Sequence, residues 1–312
     1  MALAAKEFDI VVVGDCNPDI VLRGDVHPEF GQHEKLVEDA AFVVGGSGSI
    51  TACACAAAGL RTAFIGATGD DAFGDFMRAQ LRAHNVDISM SPVLAGLRTG
   101  FSVILSGGQD RAILTFAGTI DHLGAEHVPV GQLGRAAHVH VSSYFLQPRL
   151  ARLLPVLFAA LRAQGVTVSV DPNWDPDEQW DGGLLRLLAA VDLFLPNRAE
   201  AEAMSGVAGT AAAALELASR GPLVVVKDGT RGCTAAEDGS VSRASAFHVD
   251  SVDSTGAGDS FDAGFLSAWL RHLPLERSLA YGNAAGALST RALGATGALA
   301  TARELARMAA GA

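Results

Sequence analysis

The sequence predicts an α/β fold: a doubly wound, mainly parallel sheet flanked by helices, with a small β element inserted. Three observations predict it. Phe8 to Val13 (FDIVVV) reads as a strand, and its unbroken apolar, β-branched run from Ile10 to Val13 is of the kind that is buried on both faces. From about residue 137 onward, β-branched runs alternate with helix-forming segments, which argues for parallel strands joined by helical crossovers. Residues 98–117 (RTGFSVILSGGQDRAILTFA) hold two apolar runs around Gly107-Gly108 with no helix between them, so these strands pair antiparallel, outside that alternation.

The first strand ends at Gly14-Asp15, and no G-x-G-x-x-G follows, so a dinucleotide fingerprint is absent. Cys16 to Phe42 is polar and interrupted by Pro18, Pro28 and several glycines, and reads as short strands or loops outside the main core. Gly45-Gly46-Ser47-Gly48 opens a small-residue helix over Ser49 to Ala58; a strand at Thr62 to Gly66 and an amphipathic helix at Asp71 to His84 follow. The alternating part predicts strands at Ala137–Ser142, Val166–Val170, Leu193–Leu195 and Leu223–Val226, with helices at Arg149–Gln164, Leu184–Ala190 and Thr210–Ser219 between them. Helices at 257–271, 276–292 and 301–310 complete the chain. We read it as one domain over 1–312, its β element inserted from about 16–43 and 93–118.

With 312 residues, 49% of them hydrophobic, the chain is long enough for such a core. Its net charge of −11 makes nucleic acid and anionic membranes poor partners. The apolar stretches are broken by Arg or Pro, and MALAAKEFDIVVVGD runs straight into a strand without a signal-peptide layout. The four cysteines (Cys16, Cys53, Cys55, Cys233) show no C-x-x-C spacing, which fits reduced thiols in the cytoplasm.

The stretch richest in chemistry is DSTGAGDSF, Asp253 to Phe261. Gly256-Ala257-Gly258 precedes a helix whose first turn holds Asp259. A helix N-terminus offers unpaired N–H groups and partial positive charge, and small residues let an anion come close. A carboxylate beside an anion site suggests a base that activates a hydroxyl next to a phosphate; a tight turn followed by a helix-start charge accounts for the same residues. Asp171-Pro172-Asn173 also follows a strand, and its D-x-N-x-D spacing fails as a calcium loop because Pro176 and Gly182 stand where Gly and Glu are needed. Asn197 and Glu200 make a capping-box pair, or an amide and carboxylate that orient hydrated Mg²⁺ near phosphates. Lys227-Asp228-Gly229-Thr230-Arg231-Gly232 is a strand-to-turn loop without the P-loop pattern: a hairpin turn, or a phosphate contact through Lys227. His138 and His140 share a strand face with no third ligand spaced for zinc and read as structural. Ser142 and Ser143 lack a G-x-S-x-G context. Gly14-Asp15, Asp171, Asn197, Lys227 and the 253–259 loop all follow predicted strands or turns, so they can converge at one sheet edge, where open α/β sheets bind ligands.

Together these residues resemble the PfkB/ribokinase carbohydrate kinases. DSTGAGDSF is similar to that family's C-terminal signature, the Gly45-Gly46 segment to its N-terminal signature, Pro196-Asn197-Arg198-Ala199-Glu200 to its N-x-x-E element, and VVVKDGTRGC to its nucleotide-loop strand and turn. The four elements stand in family order over essentially the whole chain. The resemblance implies a ribokinase-like fold with a β-sheet lid over the sugar, and transfer of the ATP γ-phosphate to an alcohol. It implies Asp259 as the base and the Gly256, Ala257 and Gly258 N–H groups as the anion hole. Asp19, with Asn17, Gly45 and Gly46 beside it, matches the substrate contact, and Ile50 the position that follows them. Asn197, Lys227, Gly229, Gly232 and Asn283 match nucleotide contacts. Glu200 matches the Mg²⁺ element, and Asp253 and Thr255 match positions that hold a monovalent cation, K⁺, in many members. The implied partners are a small molecule and ATP, with a homodimer through the exposed lid sheet.

Three residues depart from the family pattern. Ile50 replaces a frequent Asn, which makes a nucleoside kinase of the same fold an alternative. Asp175 replaces an Arg that often follows D-x-N, which speaks against a sugar phosphate. Ser254 replaces the more usual Thr. A non-catalytic sugar- or nucleotide-binding regulator is the third reading, and the intact Asp259 with its Gly-Ala-Gly loop argues against it.

Overall fold

The computed structural model describes residues 6–107 and 110–311; residues 1–5 and 312 of the expected domain and Gly108 of the expected hairpin lie outside the described residues. β1 (Phe8–Val13) runs into β2 (Asn17–Arg23) and β3 (Asp39–Gly45). α1 (Ser47–Ala57), β4 (Thr62–Ile65), β5 (Thr68–Gly69) and α2 (Ala72–Ala83) follow, then β6 (Val93–Leu94), β7 (Phe101–Gly107) and β8 (Asp110–Phe116). The alternating part is α3 (Val130–Leu133), β9 (Ala136–Val141), α4 (Pro148–Arg162), β10 (Thr167–Val170), α5 (Leu184–Leu187) and β11 (Leu193–Phe194). α6 (Arg198–Ser205), α7 (Thr210–Ala218), β12 (Leu223–Lys227), β13 (Cys233–Glu237) and β14 (Ser240–Ala244) precede three helices, α8 (Ala257–Trp269), α9 (Leu275–Ser289) and α10 (Ala302–Ala309).

The main sheet has eight strands in the order β14-β13-β12-β11-β10-β9-β1-β4. From β4 to β12 every pairing is parallel, as expected; β13 and β14 add an antiparallel edge. The strands of that edge carry little hydrophobic period, because CTAAE and SVSRA are small and polar; its one sequence signal is the Asp238-Gly239 turn that joins them. The alternation in β1 explains its central place. Val11 and Val13 enter one core with the α4 leucines, Ile10 and Val12 enter the other with α1 and α8, and all four are fully buried. Each such side chain contributes roughly 1.5–3 kcal/mol by leaving water. The chain winds from β1 to β4 on one side and to β9 on the other, so the strand order switches at β1, where a doubly wound sheet opens a crevice.

A separate four-stranded sheet, β3-β2-β7-β8, stands beside this crevice. Residues 16–42, read as short strands or loops, supply two full strands whose register sets Asn17 opposite Gly45 and Asp19 beside Ser102. A row of rings fastens the sheet to α2: Phe42 to Phe73 (5.3 Å), Phe73 to Phe101 (5.4 Å) and Phe101 to Phe116 (5.8 Å). The two-residue strands β5 and β6 pair parallel and are too short to register as a sequence period. Among the described residues, no helix is long and apolar enough to cross a membrane.

Candidate active site

A cleft of about 1080 Å³ lies between the strand ends of the main sheet and the small sheet. Its floor is the start of α8. Gly256 is left-handed (φ 71°), and a side chain there would strike Ala295 and crowd Ile50, whose Cγ2 lies 3.1 Å from the position a Cβ would take. Ile50 therefore packs beneath the turn that launches α8, as well as lining the cleft. No side chain caps α8, so first-turn amides are left for a ligand; the Ala257 N–H is turned aside to Ser254 O at 3.2 Å. Asp259 sits in this first turn, 9% exposed. Burial, then the charge of Asp171, pushes its pKa up to about 7, against the pull of Lys227 and a hydrogen bond from Ser47.

Lys227, at the end of β12, enters the cleft from the other side. Its Nζ donates to Asp171 Oδ2 (2.8 Å) and to Asp262 Oδ1 and Oδ2 (3.1 and 3.0 Å). It also lies 3.8 Å from where a Gly258 Cβ would sit, so the ammonium borders the helix start. Burial opposes the charge on Lys227, but Asp171, Asp262 and Glu200 outweigh it and raise its pKa. Asp171 stays ionised: burial raises it, and Lys227 with the Asn173 N–H brings it below the usual carboxylate range. Asp262, with no exposed surface, is driven towards its neutral form by burial despite Lys227. The triad thus holds one cation against one full anion. Asp262 was not singled out in the sequence, although it lies three residues after Asp259, the spacing that puts two helical side chains together.

The expected substrate contacts assemble on β2 and the turn into α1. The Asn17 amide donates to Asp19 Oδ1 (3.2 Å), and Asp19 lies over Gly45, where any side chain would displace its carboxylate. Gly46 is left-handed (φ 75°), with Asn17 Oδ1 2.8 Å from its absent Cβ. Burial, with Asp15 and Asp259 nearby, raises Asp19 to about 7, and Arg111 opposes this. Asp15 is committed to structure: its carboxylate accepts the Ser47 and Gly48 N–H groups (3.1 and 2.8 Å) at the start of α1. Arg111, on β8, reaches across to donate to Thr255 Oγ1 at 3.1 Å, and this link is invisible in the sequence because 144 residues separate the pair.

Asn197 and Glu200 form the expected capping box at α6, and Glu200 Oε1 and Oε2 accept the Asn197 amide (2.5 Å) and N–H (2.8 Å). Burial, then Asp171, raises Glu200 to about 8. Gly229 and Gly232 line the cleft beside Lys227. Asn283 lines it too, but its amide is spent on Ala244 O and Ser245 O (3.1 and 3.0 Å). Gly45 and Asp253 stand outside the lining. Asp253 accepts Thr255 N and Oγ1 (2.9 and 2.8 Å) and Gly294 N (2.9 Å), which hold it ionised against burial. His138 and His140 are buried and share Ser169 Oγ at 2.7 Å, a structural use.

The pattern of pfkB family carbohydrate kinases matches residues 7–302. An ATP-dependent ribose-1-phosphate kinase of Halopiger xanaduensis is 30% identical over 92% of this chain and 93% of its own length. A fructokinase of Klebsiella pneumoniae is 33% identical over 82% of this chain and 88% of its own. Among solved structures, a putative ribokinase II of E. coli in complex with ATP and Mg²⁺ superimposes with a TM-score of 0.84 at 22% identity, covering 97% of this chain and 99% of its own.

Proposed function

The chain belongs to the pfkB family of carbohydrate kinases, and on that premise we propose that it transfers the γ-phosphate of ATP to a sugar hydroxyl, with Asp259 as the base. The observation that carries this is the pairing of a buried carboxylate, titrating near 7, with the uncapped start of α8 in the cleft that also holds Asp19 and Lys227. Phosphoryl transfer needs positioning and charge stabilisation above all, and a base poised near neutrality can take the hydroxyl proton as the bond forms. The Gly256–Gly258 turn and the Asp259 N–H receive the phosphate. Lys227, Asn197, Gly229, Gly232 and Asn283 line the nucleotide's end, Asp19, Asn17 and the Gly46 backbone bind the sugar, and Gly45 leaves room for the Asp19 carboxylate.

Among the described residues, no group of three or more His, Cys, Asp or Glu could hold a metal ion alone, so Mg²⁺ would arrive with the nucleotide. Glu200, held by Asn197, would orient a hydrated ion that comes with the nucleotide, whose charge would keep the Glu200 carboxyl ionised against its burial. Held there, the ion would neutralise phosphate charge. The ionised Asp253 beside Thr255 fits K⁺ in the loop before α8; equal rates in KCl and NaCl remove that assignment. We also assign a homodimer through the lid sheet, whose exposed Leu114 (62%) points to a covered face in solution; a sedimentation mass of one chain removes it. The four free, buried thiols support a cytoplasmic enzyme.

The test is Mg²⁺-dependent ADP release over a panel of sugars, sugar phosphates and nucleosides; no turnover with any of them favours the binding-protein reading. Two results are expected once a substrate is found. Asp19→Asn raises the sugar KM about 10- to 100-fold, the worth of a hydrogen bond to a charged group, with the ATP KM unchanged. The kcat/KM of the native enzyme falls about tenfold per pH unit below about 7 and levels off above it, because the base works only when deprotonated. A flat profile from pH 5 to 8 contradicts the assignment of the base.

A further inference from the structure

Behind the loop that follows β12 lies a second cavity, of about 570 Å³, between the start of α7 and the strands β13 and β14. Three arginines line it, Arg198 from α6, Arg231 from the loop and Arg243 from β14, against one lining carboxylate, Asp228. Such a cluster is unexpected in a chain of net charge −11. Two of the arginines are partly committed. Arg198 Nε donates to Glu202 Oε1 (2.8 Å), and Arg231 Nε and Nη2 donate to Asp228 Oδ2 and Oδ1 (2.9 and 2.5 Å). Asp228 Oδ2 also accepts the Thr210 hydroxyl (3.1 Å), and Glu202 Oε1 accepts the Gly209 N–H (3.0 Å). Both carboxylates are therefore occupied by their neighbours, while each guanidinium keeps further N–H groups to offer. Arg243 has no ion pair or hydrogen bond among the described residues.

Two more sets of donors reach the same space. Gly209, with a positive φ of 94°, starts α7 without a side-chain cap, so the N–H groups of Thr210, Ala211 and Ala212 are left for a ligand. Thr234 lies directly opposite Arg243 in the β13–β14 ladder, on the face that carries Ala236 beneath α7. It is 6% exposed, its hydroxyl has no hydrogen-bond partner among the described residues, and it lines the cavity. Buried hydroxyls are normally hydrogen-bonded, and here the missing partner can come only from the cavity. Donors that converge from helix starts, a strand and a loop suit a tetrahedral dianion, which offers three oxygens where a planar carboxylate offers two. The cavity is much larger than a phosphate, and Ala211, Ala212 and Ala244 line it with small apolar groups. We propose that it is a second ligand site, which binds a small phosphate monoester: the phosphate lies among Arg243, Thr234 and the α7 amides, and the organic part rests on the alanines. The site shares no lining residue with the catalytic cleft, although Gly229, Thr230 and Gly232 of the same loop line that cleft.

The test is calorimetric titration of the full chain with glycerol 3-phosphate, inorganic phosphate and malonate. Glycerol 3-phosphate is expected to bind at one site with a Kd of about 1 mM or below, and malonate about tenfold more weakly or worse. Arg243→Ala should weaken glycerol 3-phosphate about tenfold or more, the worth of a charge-assisted hydrogen bond, and Thr234→Val, which keeps the shape of the side chain, about threefold or more. Asp259→Asn, beside the anion site at α8, should leave the Kd within about twofold. A Kd that follows Asp259→Asn and ignores Arg243→Ala places the phosphate in the catalytic cleft and overturns the proposal. So does binding of inorganic phosphate without glycerol 3-phosphate, or no binding of either at about 10 mM. These outcomes are read without turnover, so the kinase reading stands or falls separately.

Discussion

Asp259→Asn is expected to lower kcat by about 100- to 10,000-fold while ATP still binds. The substitution keeps the shape of the side chain and removes its ability to accept a proton. Since the α8 amides and Lys227 are untouched, nucleotide affinity measured by calorimetry should stay within a few-fold. The same change should stabilise the fold above neutral pH. The folded-state pKa of Asp259 is raised to about 7 by burial and by Asp171, so the protonated form is favoured. Its stabilising contribution is therefore complete below about pH 4 and is lost as pH rises through about 7. At pH 8 the native enzyme carries a desolvated carboxylate that the amide variant lacks. A thermal midpoint raised at pH 8 and unchanged at pH 4, with turnover lost, is the signature of a group kept for chemistry at a cost in stability. Near-native turnover would remove Asp259 from the mechanism.

Lys227→Met is expected to cost roughly 3–5 kcal/mol of stability at neutral pH, the usual penalty for removing one partner of a buried ion pair. Lys227 and Asp171 are 11% and 7% exposed along their side chains, and Asp262 is fully buried. Without the ammonium, Asp171 loses the cation it pairs with, and Glu200 and Asp259 lose the charge that restrains their already raised pKa values. Urea unfolding should show the deficit at pH 8 and a smaller one at pH 5.5, where these carboxylates can take protons. A second change, Asp171→Asn, should restore part of the loss. The ATP KM should rise as well, because Nζ borders the start of α8. Native stability at pH 8 would mean that the triad is solvated and carries little energy.

The parallel core was legible because its signal is local. FDIVVV is apolar at every position but Asp9 and unbroken from Ile10 to Val13, and the later strands recur between helices. The antiparallel edge β13–β14 was not, since its strands are small and polar although a tight Asp238-Gly239 turn joins them, and β5 and β6 were not, since two-residue strands that pair across 25 positions leave no local period. Asp259 and its small-residue turn could be read for a similar reason: helix start, flexibility and charge all lie within a few residues.

Sequence alone thus determined the parallel part of the main sheet and the family motifs, because hydrophobic period and turn chemistry act between near neighbours. What only the tertiary structure decided is the electrostatics and the substrate wall. Lys227 meets Asp171 across 56 residues and Asp262 across 35, and Arg111 meets Thr255 across 144. Asp175 proved to be a backbone knot and Trp174 a half-bare ring in the cleft. Charge interactions and burial depend on distance in space, and a one-dimensional pattern records neither.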